Sequence, residues 1–160
     1  MTNILDTIKN ISDTPLRVYI GEGMIEELGV SLHNGVSLDL INITCSKLPN
    51  DWKKLLLFSN GMEFFNAGDY SFFPLEDIVS TQKSFPFEEH IFPISYILGD
   101  FILLEVNDSD KGYSIYAGPS NLRNEYVYLD DDIQSFFEKF LLHNCERYWD
   151  SYQNNEFYNF

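Results

Sequence analysis

An α+β single domain is the fold class that this 160-residue sequence predicts, on three observations. Leu48 to Gly61, LPNDWKKLLLFSNG, reads as one short helix with both ends marked. Phe92 to Ala117 holds strand-like runs joined by turn residues, in the pattern of an antiparallel meander. Ile133 to Leu141 carries an apolar stripe at helical spacing. Helices first, then hairpin-linked strands, then a closing helix is the order of an α+β plan.

Taken along the chain, Ile4, Leu5, Ile8 and Ile11 suit a short amphipathic helix. Leu16 to Ile20 is β-branched and aromatic enough for a strand, with Gly21 and Gly23 punctuating its end. Ser37 to Cys45 fits a helix or a buried strand equally well. In the next segment Pro49 suits a first helical turn, and Asn50 or Asp51 complements the N-terminus. Trp52, Leu55, Leu56 and Ser59 share one face, and Asn60-Gly61 supplies a left-handed stop.

Tyr70 to Phe73 reads as a strand ended by Pro74, and Pro74 to Ser80 as a turn or one helical turn. Phe92 to Leu98 and Phe101 to Val106 are strands split at Gly99-Asp100. The polar turn Asn107 to Gly112 leads into a return strand, Tyr113 to Ala117. Glu125 to Leu129 is another short strand. In the closing helix Ile133, Phe136, Phe137, Phe140 and Leu141 face a core, and Asp131 with Gln134 fits a capping box. The tail from Glu146 to Phe160 is aromatic enough that it should dock on the body.

Apolar residues make up 44% of the chain and aromatics 16%, so a disordered chain is excluded. The net charge of −15 argues against nucleic acid or an anionic membrane as partner, and for a basic one. Cys45 and Cys145 are too far apart in sequence for a CxxC arrangement and read as idle thiols of a reducing compartment. The N-terminus lacks the pattern of a signal peptide. Apolar runs such as Leu55 to Phe58 fall far short of the roughly 20 residues that span a bilayer. The expectation is a cytoplasmic, non-membrane protein.

Chemistry-bearing patterns are sparse. His33, His90 and His143 are isolated in sequence, and neither cysteine has a neighbour at ligand spacing, so no metal is expected. Asn107 to Gly112 fails the positional demands of a calcium loop, since the twelfth residue from Asn107 is Gly118. No phosphate-cradling glycine loop or nucleophile elbow occurs, and no cofactor is expected. His143 and Cys145, two residues apart on a helix, would point to different faces. Glu26-Glu27, Glu76-Asp77 and Glu88-Glu89 read as solvated faces in preference to acid–base pairs. Trp52, Phe58, Phe64, Phe65, Phe72 and Phe73 read as core rather than as a ligand groove. No catalytic residue is assigned.

The helix Leu48 to Gly61 is similar to the Leu-Pro-x-Asp-aromatic-x-x-Leu-Leu…Asn-Gly signature of the SUKH superfamily, which includes fungal Smi/Knr cell-wall regulators and many bacterial immunity proteins. Phe72 to Ile78 resembles that family's strand-to-turn segment, and Phe92 to Val106 its sheet hairpin. Ser135 to Leu141, SFFEKFL, resembles its closing helix. The likeness covers residues 45 to 145 of a single domain spanning 1–160. Residues 1–40 form a divergent N-terminal extension, and Cys45-Ser46-Lys47 stands where the family has Leu-Gly. The resemblance implies a central, mainly antiparallel sheet flanked by helices. It gives structural roles to Leu48, Pro49, Trp52, Leu56, Asn60, Gly61, Leu75, Ile78, Phe136 and Phe140. It also implies a non-enzymatic protein-binding function, neutralising a cognate toxin domain such as a nuclease. The alternatives are a regulatory scaffold of the Smi/Knr type and a small-molecule-binding or hydrolytic domain.

Charge supplies the surface clue. Between Glu88 and Asp132 ten acidic residues stand against Lys111 and Arg123, a net −8 within 45 residues. The partner-binding candidates are accordingly Glu88, Glu89, Asp100, Glu105, Asp108, Asp110, Asp130, Asp131 and Asp132. If they share one side, they form an acidic field that captures a basic partner. Helix capping and turn formation by the same aspartates is an equally good account.

Overall fold

The computed structural model describes residues 2–65, 70–107, 112–120, 122–145 and 147–150. Eight strands form one antiparallel sheet in which every strand neighbours the next in sequence. They are β1 (Leu16–Gly21), β2 (Met24–Leu32), β3 (Met62–Phe65), β4 (Tyr70–Phe72), β5 (Ile91–Ile97), β6 (Asp100–Val106), β7 (Tyr113–Gly118) and β8 (Val127–Asp130). Five α-helices accompany them: α1 (Thr2–Asp13), α2 (Leu38–Cys45), α3 (Asn50–Phe58), α4 (Leu75–Ser84) and α5 (Ile133–Leu142). The α+β class is as predicted, and among the described residues no helix is long and apolar enough to cross a membrane.

The core lies between the helices and one side of the sheet. The apolar stripe of α5 places Phe136, Phe137 and Phe140 there, each fully buried. They meet Phe72 of β4 at ring-centre distances of 6.1, 4.9 and 5.6 Å. Trp52 of α3 and Phe64 of β3 complete the cluster around Phe72, at 6.2 and 5.9 Å. Leu48, Leu56, Leu75 and Ile78 are buried in the same core.

Several elements differ from the sequence reading. The order is not helices followed by strands, because β1 and β2 precede α2. Residues before position 40, divergent by sequence, contribute to the main core. Ile4, Ile8 and Ile11 of α1 and Leu28 and Val30 of β2 belong to the main core, and β2 pairs with β3. Ser37 to Cys45 resolves as a helix, with the Ser37 hydroxyl accepting from the Leu40 N–H at 3.2 Å.

Pro74 to Ser80 is not one turn but the start of the ten-residue α4. The N-terminus of α4 is held from a distance: the Leu75 N–H donates to Asn60 Oδ1 at 2.8 Å, and Asn60 Nδ2 donates to Glu76. Asn60 is therefore a cap for the next helix and not the left-handed stop of α3. Gly61 alone of that pair has a positive φ, +97°, which an L side chain would resist. Glu125 to Leu129 begins as a 3-10 turn, Arg123–Glu125, and only β8 is strand. The capping box is also displaced. Asp132, not Asp131, caps α5, accepting from the Ser135 N–H at 2.9 Å, and Gln134 turns to Glu138. Of the aromatic tail, Tyr148 and Trp149 are buried, while residues 151–160 lie outside the described residues.

Phe72→Ala is expected to destabilise the domain by about 3–5 kcal/mol, because five aromatic rings lose their common neighbour. Urea denaturation of the variant against the parent measures it. A loss below about 1 kcal/mol would show that the cluster re-packs freely.

Candidate functional site

The central strands are covered on both sides. In β6 the side chains of Ile102 and Leu104 face the helices, while Phe101, Leu103 and Glu105 face the opposite side. There a second, smaller cluster forms from Ile91, Phe101 and Leu103, with Phe73, Phe87, Tyr116 and Tyr126 packed around it. Among the described residues no helix spans this side. The chain after α4 folds across it instead, setting Phe85 and Phe87 at 5.1 and 5.3 Å from the Phe101 ring.

Beside this cluster lies an open groove of about 510 Å³. Phe73, Phe85, Tyr96 and Phe101 provide its aromatic surface, and Ser71, Thr81 and Ser120 bring hydroxyls to it. The lining carries no charge. Tyr96 is half-exposed and stacks obliquely on Phe101 at 4.9 Å between ring centres. None of these groove residues except Phe73 was singled out from the sequence, and Phe73 was assigned to the core. The one local signal is Tyr96, the single exposed position of an otherwise buried β5.

The nine acidic candidates do not gather into one field. Asp100 and Glu105 belong to the same strand but sit near opposite ends and project from opposite sides of it. Asp100 accepts from Trp149 Nε1 at 3.2 Å and pairs with Arg147 at 2.9 Å, an internal clamp on the end of the chain described. Asp130 is buried and fully engaged. It receives Lys139 Nζ and Ser135 Oγ, both at 2.7 Å, and the N–H groups of Asp131 and Asp132 at 2.9 and 3.1 Å. Asp132 is the α5 cap, Asp131 is exposed beside it, and Glu89 is exposed and paired with Lys47 at 3.1 Å. Asp108 and Asp110 lie outside the described residues.

Glu88 and Glu105 do come together, through Arg123. Its guanidinium donates to Glu88 at 2.8 Å and to Glu105, while His90 lies 3.3 Å from Glu105 and 3.7 Å from Glu88. Burial works against the Arg123 charge, but the two carboxylates outweigh it and raise its pKa further. Arg147 is likewise shared by two carboxylates, Asp100 and Asp150. Each of these arginines is thus over-neutralised, and the surroundings of the groove stay anionic.

The thiols stand apart from this side. Cys145 is fully buried, and burial pushes its pKa up to about 12; burial also raises that of Cys45. Both are therefore protonated at neutral pH. His143 is exposed, with its ring bonded to the Lys139 carbonyl at 2.8 Å. Among the described residues no three His, Cys, Asp or Glu side chains gather to hold a metal ion.

Asp130 gives a test of whether its carboxylate is structural. Burial alone would raise its pKa, but the hydrogen bonds from Lys139, Ser135 and two backbone N–H groups lower it below the ordinary value of 3.8. A depressed folded pKa stabilises the domain above the ordinary value and ceases to do so as pH falls through the folded one. Asp130→Asn is expected to cost about 1–3 kcal/mol near neutrality. Its deficit against the parent should shrink below about pH 4. Denaturation midpoints of both proteins from pH 7 down to about pH 2.5 measure this, and a pH-independent deficit would remove the ionic account.

No protein-family model matches the chain, and no solved structure matches it. Two proteins of Bacillus subtilis (strain 168) are similar to it, both described as uncharacterized. YnaB is 28% identical over 112 residues, covering 69% of this chain and 76% of its own length. YobM is 31% identical over 117 residues, covering 64% of this chain, which spans only 62% of YobM in return. The likeness therefore takes in about two thirds of this chain in each case and leaves more than a third of YobM beyond it.

Proposed function

We propose that this chain is a non-enzymatic protein-binding domain of the cytoplasm whose partner is basic, and that it acts as an immunity protein of SUKH type by covering a toxin domain. The observation that carries the reading is the uncharged aromatic groove set in a strongly acidic molecule. Half-exposed aromatic side chains are the residues from which binding hot spots are built. A net charge of −15 steers cationic partners toward the surface and rejects polyanions. The role of the acids is then mainly long-range. Asp100, Glu105 and Asp130 keep their internal contacts, while Glu88, Glu89 and Asp131 add to the field at the surface. A nuclease, whose own ligand is anionic, is the kind of toxin such a surface suits.

A small neutral ligand is a second reading, favoured by the hydroxyl-rich lining and by a volume within the usual range of ligand sites, roughly 300–1,000 Å³. The regulatory-scaffold alternative uses the same surface with a cellular enzyme as partner.

Calorimetric titration with the basic toxin domain encoded beside this gene tests the first reading. Affinity is expected to fall about tenfold or more between about 0.05 and 0.3 M salt. Tyr96→Lys is expected to weaken binding by about 2 kcal/mol, roughly 30-fold, without a change in the unfolding midpoint. No binding at low salt would reject the immunity reading. Binding that ignores both salt and Tyr96 would place the interface elsewhere.

A further inference from the structure

Residues 147–150 are fastened to the turn between β5 and β6. The Arg147 guanidinium donates to the Leu98 carbonyl at 2.7 Å and bridges Asp100 to Asp150, at 2.9 and 2.7 Å. Trp149 is fully buried, and its Nε1 donates to Asp100 at 3.2 Å. The chain is therefore delivered at Asp150 to one fixed place, beside Leu98, Gly99 and Asp100. Gly99 is also part of the aromatic groove. Its φ is +103°, and among the described residues a Cβ there would meet nothing within 4 Å. Leu98 beside it is apolar and 67% exposed. The surface over this turn is open to a passing chain, and it leads into the groove.

Length and chemistry both suit residues 151–160 to that path. The groove follows one row across the sheet: Ser71 faces Tyr96, Tyr96 faces Phe101, and Phe101 faces Gly118, with Ser120 just beyond. Three strand spacings are about 14 Å, a distance that about five extended residues cover. Ten residues follow Asp150, SYQNNEFYNF. Four are aromatic, Tyr152, Phe157, Tyr158 and Phe160, and four carry amides, while Glu156 alone is charged. Aromatic rings pack on aromatic walls, and amides bond the hydroxyls that the groove presents. A second groove, of about 450 Å³ between α1 and α5, fits less well. Its apolar lining is aliphatic, Glu138 stands in it, and it shares no residue with the turn.

We propose that residues 151–160 occupy the aromatic groove of their own chain and act there as an autoinhibitory segment. The Arg147 clamp holds the segment at the groove's end, so its local concentration reaches the millimolar range and weak contacts suffice to seat it. A partner then meets the groove only in the fraction of molecules whose segment has left, and its apparent affinity falls by that fraction. The docking stands on the geometry of the turn and the groove. Its regulatory consequence rests on the reading of that groove as the place where the partner lands.

A nitroxide label on the full chain, at Asn159→Cys, tests the docking with no partner present. Cys45 and Cys145 are buried and protonated, so the label goes to the added thiol. The amide signals of Ser71, Tyr96 and Ser120 are expected to lose most of their intensity, at every protein dilution, and to regain it when the label is reduced. Phe157→Ser with Phe160→Ser, which leaves the net charge unchanged, should restore Ser71 and Ser120 in the labelled chain. Broadening centred on Leu16 and Leu142 overturns the proposal by placing the segment in the second groove. So does broadening that the double variant leaves unchanged, since a loose tether would give it. In titration with the basic toxin domain, the unlabelled double variant is expected to bind about tenfold more tightly than the parent. Equal affinity would overturn the autoinhibition. Absence of binding by both chains would reject the immunity reading instead, and the label alone would then decide the docking.

Discussion

The packing of α5 on Phe72 is the contact on which the rest of the molecule depends. A strand of three residues is a weak element by itself: β4 pairs over its three residues with β3, and on its other side Ser71 and Phe72 face Tyr96 and Ser95, with the Phe73 N–H donating to the Ile94 carbonyl at 2.8 Å. What fixes β4 is the ring of Phe72 among Trp52, Phe64, Phe136, Phe137 and Phe140. Burial of aromatic area is worth several kcal/mol per side chain, far more than one additional strand hydrogen bond. The last helix therefore holds the middle of the sheet, and α5 must in turn be placed accurately. Its N-terminus is pinned by the Asp132 cap and by the Tyr113 hydroxyl, which accepts from the Ile133 N–H at 3.0 Å.

The same constraint shapes the open side. Ser71 and Tyr96 stand side by side across the β4–β5 pair and open onto the groove. The chain leaving α4 covers only the adjoining part, through Phe85 and Phe87. The groove is what remains between a covered and an uncovered region of one sheet. Its lining is fixed by residues that also serve the fold. Phe101 is nearly buried, and the Ser71 carbonyl accepts from the Ser95 hydroxyl at 2.6 Å. A surface of this kind is pre-organised, and a partner loses little ordering it.

The features legible in the sequence are those whose causes are local. The stripe of α5 carries its own period, and all of its core positions from Ile133 to Phe140 are buried as that period requires. The hairpin from β6 to β7 announces itself through the polar segment after Val106. The length of α4 is less legible because its cap, Asn60, lies fifteen residues upstream, although Pro74, Glu76 and Asp77 mark its first turn. β2 escapes the sequence reading because Glu26 and Glu27 interrupt its alternation, in the part of the strand that pairs with β1. The groove was invisible for a stronger reason. Ser71, Thr81, Tyr96 and Ser120 come from four separate segments, and only strand register brings them together.

Charge shows why composition and placement must be argued separately. Ten acids between Glu88 and Asp132 suggest a continuous field, yet the fold spends several of them on single cations. Lys139 goes to Asp130, Arg147 to Asp100 and Asp150, and Arg123 to Glu88 and Glu105. With 25 acids to 10 bases, the surplus that internal pairing leaves is acidic. A net charge distributed in this way attracts a basic partner from a distance without specifying where it lands. Specificity must then come from the uncharged places, where apolar contact is not offset by desolvation of ions. On this molecule the aromatic groove is such a place.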